Sequence, residues 1–307
     1  MRMTVQRKPA ALAFALTVTM AISTLAADWP AYRAEVEKWR AEQEAELRAD
    51  DGWLTLAGLF WLKEGSNSIG SDATGDVVLP EGSAPARLGV MELHDGRVTL
   101  RLTGDASVTL NDKPVTTAAL QSDEHQKPDV LRLGPLSFYV IKRGARVGVR
   151  VKDLNSRSRR EFTGRRWYPV SEQYRVTATF VAYDKPREME IINKLGDQIK
   201  MMSPGYVRFR LNGNAYRFDA LDEEGKLFFV FADRTNGRTT YGAGRFLYAD
   251  AAKGGKVVLD FNKAINPPCA FTPFATCPLP PRQNRLTIRI EAGELSAHPV
   301  DQAREAG

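Results

Sequence analysis

The feature that most constrains this chain is the regular interruption of short apolar runs by residues that favour tight turns. Residues 90–94 and 97–102 flank Asp95-Gly96, a pair suited to a type I′ hairpin, whose two central residues both need positive φ. Residues 107–110 and 113–117 flank Asn111-Asp112. Runs at 130–133, 136–142 and 146–153 are separated by Gly134-Pro135 and Gly144-Ala145. Segments this short and evenly punctuated read as strands of a β-sandwich over residues 65–155, with 76–80 at its edge. A second β unit is expected over 162–294. Its strands are read at 174–183, 206–211, 215–221, 226–233, 239–248, 256–261 and 286–291, with Asn212-Gly213-Asn214 as one turn. Residues 174–183 alternate apolar with polar, as a half-buried strand does. Residues 226–233 contain Leu-Phe-Phe-Val-Phe, a near-continuous apolar run that suits a central strand. The chain is therefore read as mainly β: an N-terminal helix, a β-sandwich, and a second β-sandwich or open barrel.

Residues 1–26 read as an export signal. Arg2, Arg7 and Lys8 precede an apolar run from Ala10 to Ala21, and small residues follow at Ser23, Thr24, Ala26 and Ala27. The run is short for a bilayer span, and no cysteine lies near the expected cleavage point to accept a lipid. The expected protein is exported, periplasmic or extracellular, with no membrane span in the mature chain. The precursor carries 43 basic and 37 acidic residues for a net charge of +6, and loss of the leader halves it. So small an excess is no footprint for nucleic acid, which needs a clustered basic face. Residues 28–64 form the next unit, a helix with its connecting segment. Asp28 is the expected N-cap, Pro30 falls in the first turn, and Trp29, Tyr32, Val36, Trp39 and Leu47 lie near one face. Residues 295–307 are left as a tail.

Within 65–155, Ile69-Gly70, Asp76-Val77-Val78-Leu79-Pro80 and the later Asn111-Asp112 turn resemble the pattern of a forkhead-associated domain. The resemblance implies a fold and not phosphothreonine reading. Ser71 stands where that family has Arg, and Pro85-Ala86-Arg87-Leu88-Gly89 replaces its Ser-x-x-His element. Between the two β units lie seven basic residues: Arg150, Lys152, Arg157, Arg159, Arg160, Arg165 and Arg166, with only Asp153 and Glu161 among them. They suit a solvated face, a salt-bridged seam between units, or an anion-binding wall.

The segment 233–285 holds both cysteines, six prolines between Pro267 and Pro281, and a dense set of Asn, Asp, Arg and Tyr. Tyr241-Gly242-Ala243-Gly244-Arg245 places two glycines where backbone N–H groups can approach a ligand, beside a guanidinium suited to carboxylate or phosphate. The competing reading is a tight bend with Arg245 paired internally to Asp233 or Asp260. Asp260 and Asn262 share one face at a strand end, and Asn262 and Asn266 also suit loop capping. Cys269 and Cys277 are expected to form a disulfide, which in a loop this short contributes roughly 2.5 kcal/mol. A catalytic thiol or a metal site is the lesser reading. His94, His125 and His298 are the only histidines and lie in no metal or Cys-His motif, so no metal and no cofactor is expected.

The motifs Thr240-Tyr241-Gly242-Ala243-Gly244-Arg245-Phe246-Leu247, Asp260-Phe261-Asn262, Asn266-Pro267-Pro268-Cys269-Ala270-Phe271 and Cys277-Pro278-Leu279-Pro280-Pro281 to Asn284-Arg285-Leu286 resemble the domain-of-unknown-function 1684 family. That resemblance implies a hallmark C-terminal segment and brings no activity with it. The functional expectation is a binding module for a small polar or anionic ligand, contacted by Tyr241, Gly242, Gly244, Arg245, Asp260 and Asn262. The alternative is a hydrolase or transferase using Asp260 or Asp233 as acid–base, with Arg245 stabilising developing charge.

Overall fold

A computed structural model describes residues 21–125 and 127–296, with side chains from Trp29 onward. The bulk of the expected leader, Gln126, His298 and the end of the tail lie outside the described residues. The chain opens with α1 (Ala21–Arg48), followed by β1 (Leu56–Trp61), β2 (Gly65–Gly70), β3 (Val77–Val78), β4 (Gly89–His94) and β5 (Arg97–Leu102). Next come β6 (Thr109–Leu110), β7 (Lys113–Pro114), β8 (Thr117–Leu120), β9 (Leu131–Leu133), β10 (Leu136–Arg143) and β11 (Arg146–Asp153). A short α2 (Arg157–Glu161) leads to β12 (Arg175–Ile192), β13 (Gln198–Leu211), β14 (Asn214–Glu223), β15 (Lys226–Phe231), β16 (Arg245–Ala249) and β17 (Lys256–Asp260).

The turn chemistry built the first unit as expected. Asp95 and Gly96 both take positive φ, as do Asn111 and Asp112, so each hairpin closes with the twist its strands require. Two sheets result, one ordered β1-β11-β10-β9-β6-β7 and the other β3-β2-β4-β5-β8, with β3 at the edge. Ile69, Met91, Val98 and Leu100 from one sheet meet Phe138, Val140, Val149 and Val151 from the other in a common core. The boundary read at residue 65 is corrected. Leu56–Trp61 is a strand paired antiparallel to β11, so the sandwich begins before the first turn signal.

The second unit is one antiparallel sheet, ordered β16-β15-β14-β13-β12-β17, curled into a half-barrel. Strand β15 lies between β14 and β16, and its apolar run serves both faces. Leu227, Phe229 and Phe231 enter the core with Phe209, Phe218 and Phe261, while Phe228 and Val230 enter a smaller cluster with Tyr241, Phe246, Cys269 and Cys277. Two readings are corrected. Strands β12 and β13 extend far beyond 183 and before 206, because a register shift between Ala182 and Arg187 absorbs the Asp184-Lys185-Pro186 interruption. Residues 239–244 and 286–291 form no ladder strand.

Helix α1 lies across the half-barrel. Its start is corrected: it begins at Ala21, so position 28 falls inside it and not at its N-terminus, and Pro30 withholds one N–H from its interior. Val36 and Leu47 are buried, and the Arg40 guanidinium stacks 4.7 Å from the Trp167 ring centre. The polar seam is specific. Tyr32 O–H donates to Asp260 Oδ2 at 2.7 Å and accepts from Asn262 Nδ2 at 3.0 Å, Arg40 Nη2 donates to the Asn262 carbonyl at 3.2 Å, and Lys263 Nζ meets Glu35 at 2.6 Å. Burial, then the Asp260 carboxylate, pushes the Tyr32 hydroxyl far above its ordinary range, so it stays a donor. Replacing Tyr32 with Phe leaves a buried carboxylate oxygen without its donor. The expected loss is about 1–2 kcal/mol, read from the urea midpoint; an unchanged midpoint means that this contact does not hold the helix.

Candidate functional site

The residues first expected to face a ligand are structural. Arg245, at the start of β16, is 0 % exposed. Its Nη2 meets Asp233 Oδ2 at 2.6 Å and donates to Ile290 O at 2.9 Å, while Nη1 donates to Ala292 O. Asp233 Oδ1 accepts from the N–H groups of Thr235 at 2.7 Å and Ile290 at 3.2 Å. The guanidinium thus satisfies the Ile290 and Ala292 carbonyls, while Leu286 and Ile288 bond to the backbone of Ala232 and Arg234 just beyond β15. Gly244 sits at φ +109, and a Cβ there would lie 2.5 Å from Pro280 Cγ, so that glycine admits the proline loop and not a ligand. Gly242 is exposed at the bend, and Tyr241 O–H donates to Cys269 O at 2.9 Å.

Asp260 and Asn262 are likewise consumed. Asp260 caps the 3-10 turn Phe261–Lys263 by accepting from Asn262 N at 3.1 Å, and its other oxygen holds Tyr32. Asn262 accepts from Ser171 N at 2.9 Å and donates to Ser171 O at 2.9 Å. Asp260, Asn262 and Tyr32 form one closed network beneath α1. Both oxygens of Asp233 and of Asp260 are hydrogen-bonded within the protein, so the acid–base and ligand-contact roles first assigned to them do not fit their positions. Cys269 and Cys277 carry no disulfide and are present as buried thiols, with Cys269 N–H donating to Cys277 Sγ at 3.2 Å. Among the described residues, no cluster of three His, Cys, Asp or Glu side chains is placed to hold a metal ion. No helix among them is long and apolar enough to cross a membrane.

A large cleft lies elsewhere, where the end of α1, the sandwich and the half-barrel meet. This cleft, about 1070 Å³, is walled by Trp53 after the helix, Arg143 and Arg150 of the sandwich, and Phe246, Asn266 and Phe271 of the C-terminal unit. Four of the five cations that line it are neutralised locally. Lys142 pairs with Glu124 at 2.9 Å, Arg143 with Asp123 at 2.7 Å, Lys200 with Glu188 at 2.7 Å and Arg165 with Glu294 at 2.6 Å. Arg143 Nε also reaches Thr276 Oγ1 at 3.2 Å, tying the sandwich to the cysteine loop.

Arg150 differs. On β11, Val147, Val149 and Val151 point into the sandwich, so Arg150 projects from the opposite face toward the cleft. It is 3 % exposed, lies 5.3 Å from the Trp53 ring centre and 5.9 Å from that of Tyr139, and reaches Tyr139 Oη through Nη1 at 3.4 Å. Its Nε and Nη2 have no hydrogen-bond partner among the described residues, and no carboxylate pairs with it there. Those two N–H groups form the edge of a guanidinium that grips a carboxylate or phosphate with two parallel bonds. The Trp53 ring, itself 37 % exposed, lies against the guanidinium. Asn266 brings a second such atom: its Nδ2 donates to Leu295 O at 2.9 Å, which leaves Oδ1 buried without a donor among the described residues.

Arg150 and Arg165 belong to the basic junction and lie outside the ligand contacts expected from sequence, where Asn266 is a loop cap and Glu294 has no assigned role. The available signal was phase: an Arg among inward valines of a strand must face whatever covers the sheet's outer side. Glu294, 1 % exposed, accepts from Asn266 N at 2.8 Å. Burial raises its carboxyl from the ordinary 4.5 to about 7, against the opposing pull of Arg165. The native state therefore holds this proton more tightly than the unfolded chain. The contribution to stability is complete below pH 4.5 and is lost as pH rises to about 7. Relative to Glu294→Gln, the wild type should lose about 3 kcal/mol between pH 4.5 and 8 in urea titrations; parallel pH profiles would refute it.

A family model described as "Protein of unknown function (DUF1684)" matches residues 160–295. The solution NMR structure of an uncharacterised protein of Haloarcula marismortui is similar at 30% identity and TM-score 0.39, covering 46% of this chain and 81% of that one. An FHA domain solved in work on phosphothreonine-dependent FHA interactions is similar at 22% identity and TM-score 0.22, covering 31% of this chain and 92% of that one. The FhaA FHA domain gives the same identity and TM-score, with 31% and 97% covered. No curated protein matches the chain.

Proposed function

We propose that this chain, which belongs to the DUF1684 family through residues 160–295, is a binding protein for a small organic anion carried in the cleft between its two β units. The observation that carries the reading is Arg150, a buried cation with an unpartnered Nε–Nη2 edge. A charge taken out of water without a partner is costly, and a bound carboxylate or phosphate offsets that cost by two charge-assisted hydrogen bonds. Access requires the Trp53 indole to swing aside, after which it flanks the ligand. The neighbouring aromatic rings of Phe246 and Phe271 supply apolar wall, and Asn266 Oδ1 supplies an acceptor for a hydroxyl or amine on the ligand.

Isothermal titration with succinate, acetate, glycerol 3-phosphate and inorganic phosphate tests this on the full chain. At least one should bind, Arg150→Met should weaken it by at least about tenfold, and Arg150→Lys should not restore it, since a lysine lacks the fork. Binding should change tryptophan fluorescence in the wild type and not in Trp53→Phe. Equal affinities for wild type and Arg150→Met, or no binding to any of the four, would end the proposal.

The site of action is proposed to be outside the cytoplasm, on the strength of Arg2, Arg7, Lys8 and the apolar run that follows them. N-terminal sequencing of the protein recovered from its producing cells should begin near Ala27 or Asp28. A chain that starts at its first residues and stays with the cytoplasmic fraction rules this out.

A further inference from the structure

Cys269 and Cys277 belong to no strand ladder, and of the two only Cys277 lines the cleft. Cys269 lies in the 3-10 turn Pro268–Ala270, and the chain returns so that Cys277 Sγ accepts the Cys269 N–H at 3.2 Å. The two thiols also hydrogen-bond to each other. A polar group stands over the pair: Lys194 Nζ donates to Tyr241 Oη at 3.2 Å, and Lys194 N donates to the Cys277 carbonyl at 2.9 Å. The Cys277 hydrogen bond, supported by Tyr241 and Lys194, holds Cys269 below the ordinary thiol range, while the same bond and burial push Cys277 up. The pair is thus polarised into a thiolate-leaning member and a proton-holding member. Each side chain is 6 % exposed, so only a very small oxidant reaches the sulfurs. Thr276, Cys277 and Pro278 form part of the cleft wall.

We propose that Cys269 and Cys277 are a reversible redox pair oxidised by hydrogen peroxide, a property independent of anion binding at Arg150. The Cys269 thiolate attacks one peroxide oxygen. The O–O bond breaks, hydroxide leaves and takes up the proton Cys269 had released, and Cys269 becomes a sulfenic acid with one water lost. Cys277 sulfur then attacks Cys269 sulfur. An S–S bond forms, the S–O bond breaks, and the hydroxyl departs as a second water with the Cys277 proton. Two thiols have given up two electrons and two protons, and one peroxide has become two waters. A small dithiol such as dithiothreitol reverses the change. In the oxidised form the loop from Cys269 to Cys277 is cross-linked and its face of the cleft is held in one shape.

Intact-mass measurement on reduced full-length protein treated with one equivalent of hydrogen peroxide tests the proposal without any variant. The expected product is a monomer lighter by about 2 Da, with both thiols lost to a thiol-specific dye after unfolding and both recovered with dithiothreitol. Cys277→Ser should instead stop at the sulfenic acid, about 16 Da heavier and trapped by dimedone. Persistence of both thiols over hours, a disulfide-linked dimer, or accumulation of higher oxides without the lighter species overturns it.

Discussion

The buried Arg245–Asp233 pair is the contact on which the C-terminal architecture depends. Residues 285–292 make no ladder, yet Leu286, Ile290 and Ala292 fill the half-barrel core. Their carbonyls must find donors inside the protein, and the guanidinium provides them to Ile290 and Ala292 while its charge is balanced by Asp233. A pair so enclosed contributes little net attraction after desolvation, but losing either partner strands the other at a cost of about 3–5 kcal/mol. Its value is positional: it fixes where an otherwise irregular segment runs.

That position propagates to the cleft. Beyond Ala292, Gly293 is at φ +80 and Glu294 bridges to Trp167, where it meets Arg165 and the Asn266 N–H. Arg165 N in turn donates to Glu44 of α1 at 2.9 Å. The staple, the helix and the junction are therefore one chain of polar contacts, and the cleft is the space left where they approach the sandwich. Its cations divide by circumstance. Arg143, Arg165 and Lys142 are held by neighbouring carboxylates, whereas Arg150 is surrounded by aromatic rings that cover it without neutralising it.

Much of the fold was legible because hairpin turns are local. Asp95-Gly96, Asn111-Asp112 and Asn212-Gly213 each adopt the positive φ that their residue types favour, and the strands on either side follow. The long β12–β13 hairpin was hidden because Pro186 and Pro204 interrupt an apolar pattern that a bulge repairs in three dimensions. At the candidate site, of the two readings the sequence left open for Arg245, the fold adopts the internal pair and not the ligand contact. Arg245 does grip a carboxylate, but that of Asp233. Asp260 does act at a strand end, but on Tyr32 and its own turn. Glycine and proline near an arginine serve equally to shape a ligand loop or to let two backbone segments touch, and Gly244 against Pro280 is the second case.

By itself the sequence determined the strand-and-turn rhythm, the helix ahead of it, the basic junction and the match to the DUF1684 family over residues 160–295. Those properties depend on backbone preferences and composition over a few adjacent residues. Only the tertiary structure decided which polar side chains are spent internally and which face the cleft. Tyr32 and Asp260 are 228 positions apart, and Arg150 packs against Trp53 from the turn that precedes the sandwich's first strand. Whether a buried charge has a partner is settled by what folds against it, and nothing in the neighbouring sequence carries that information.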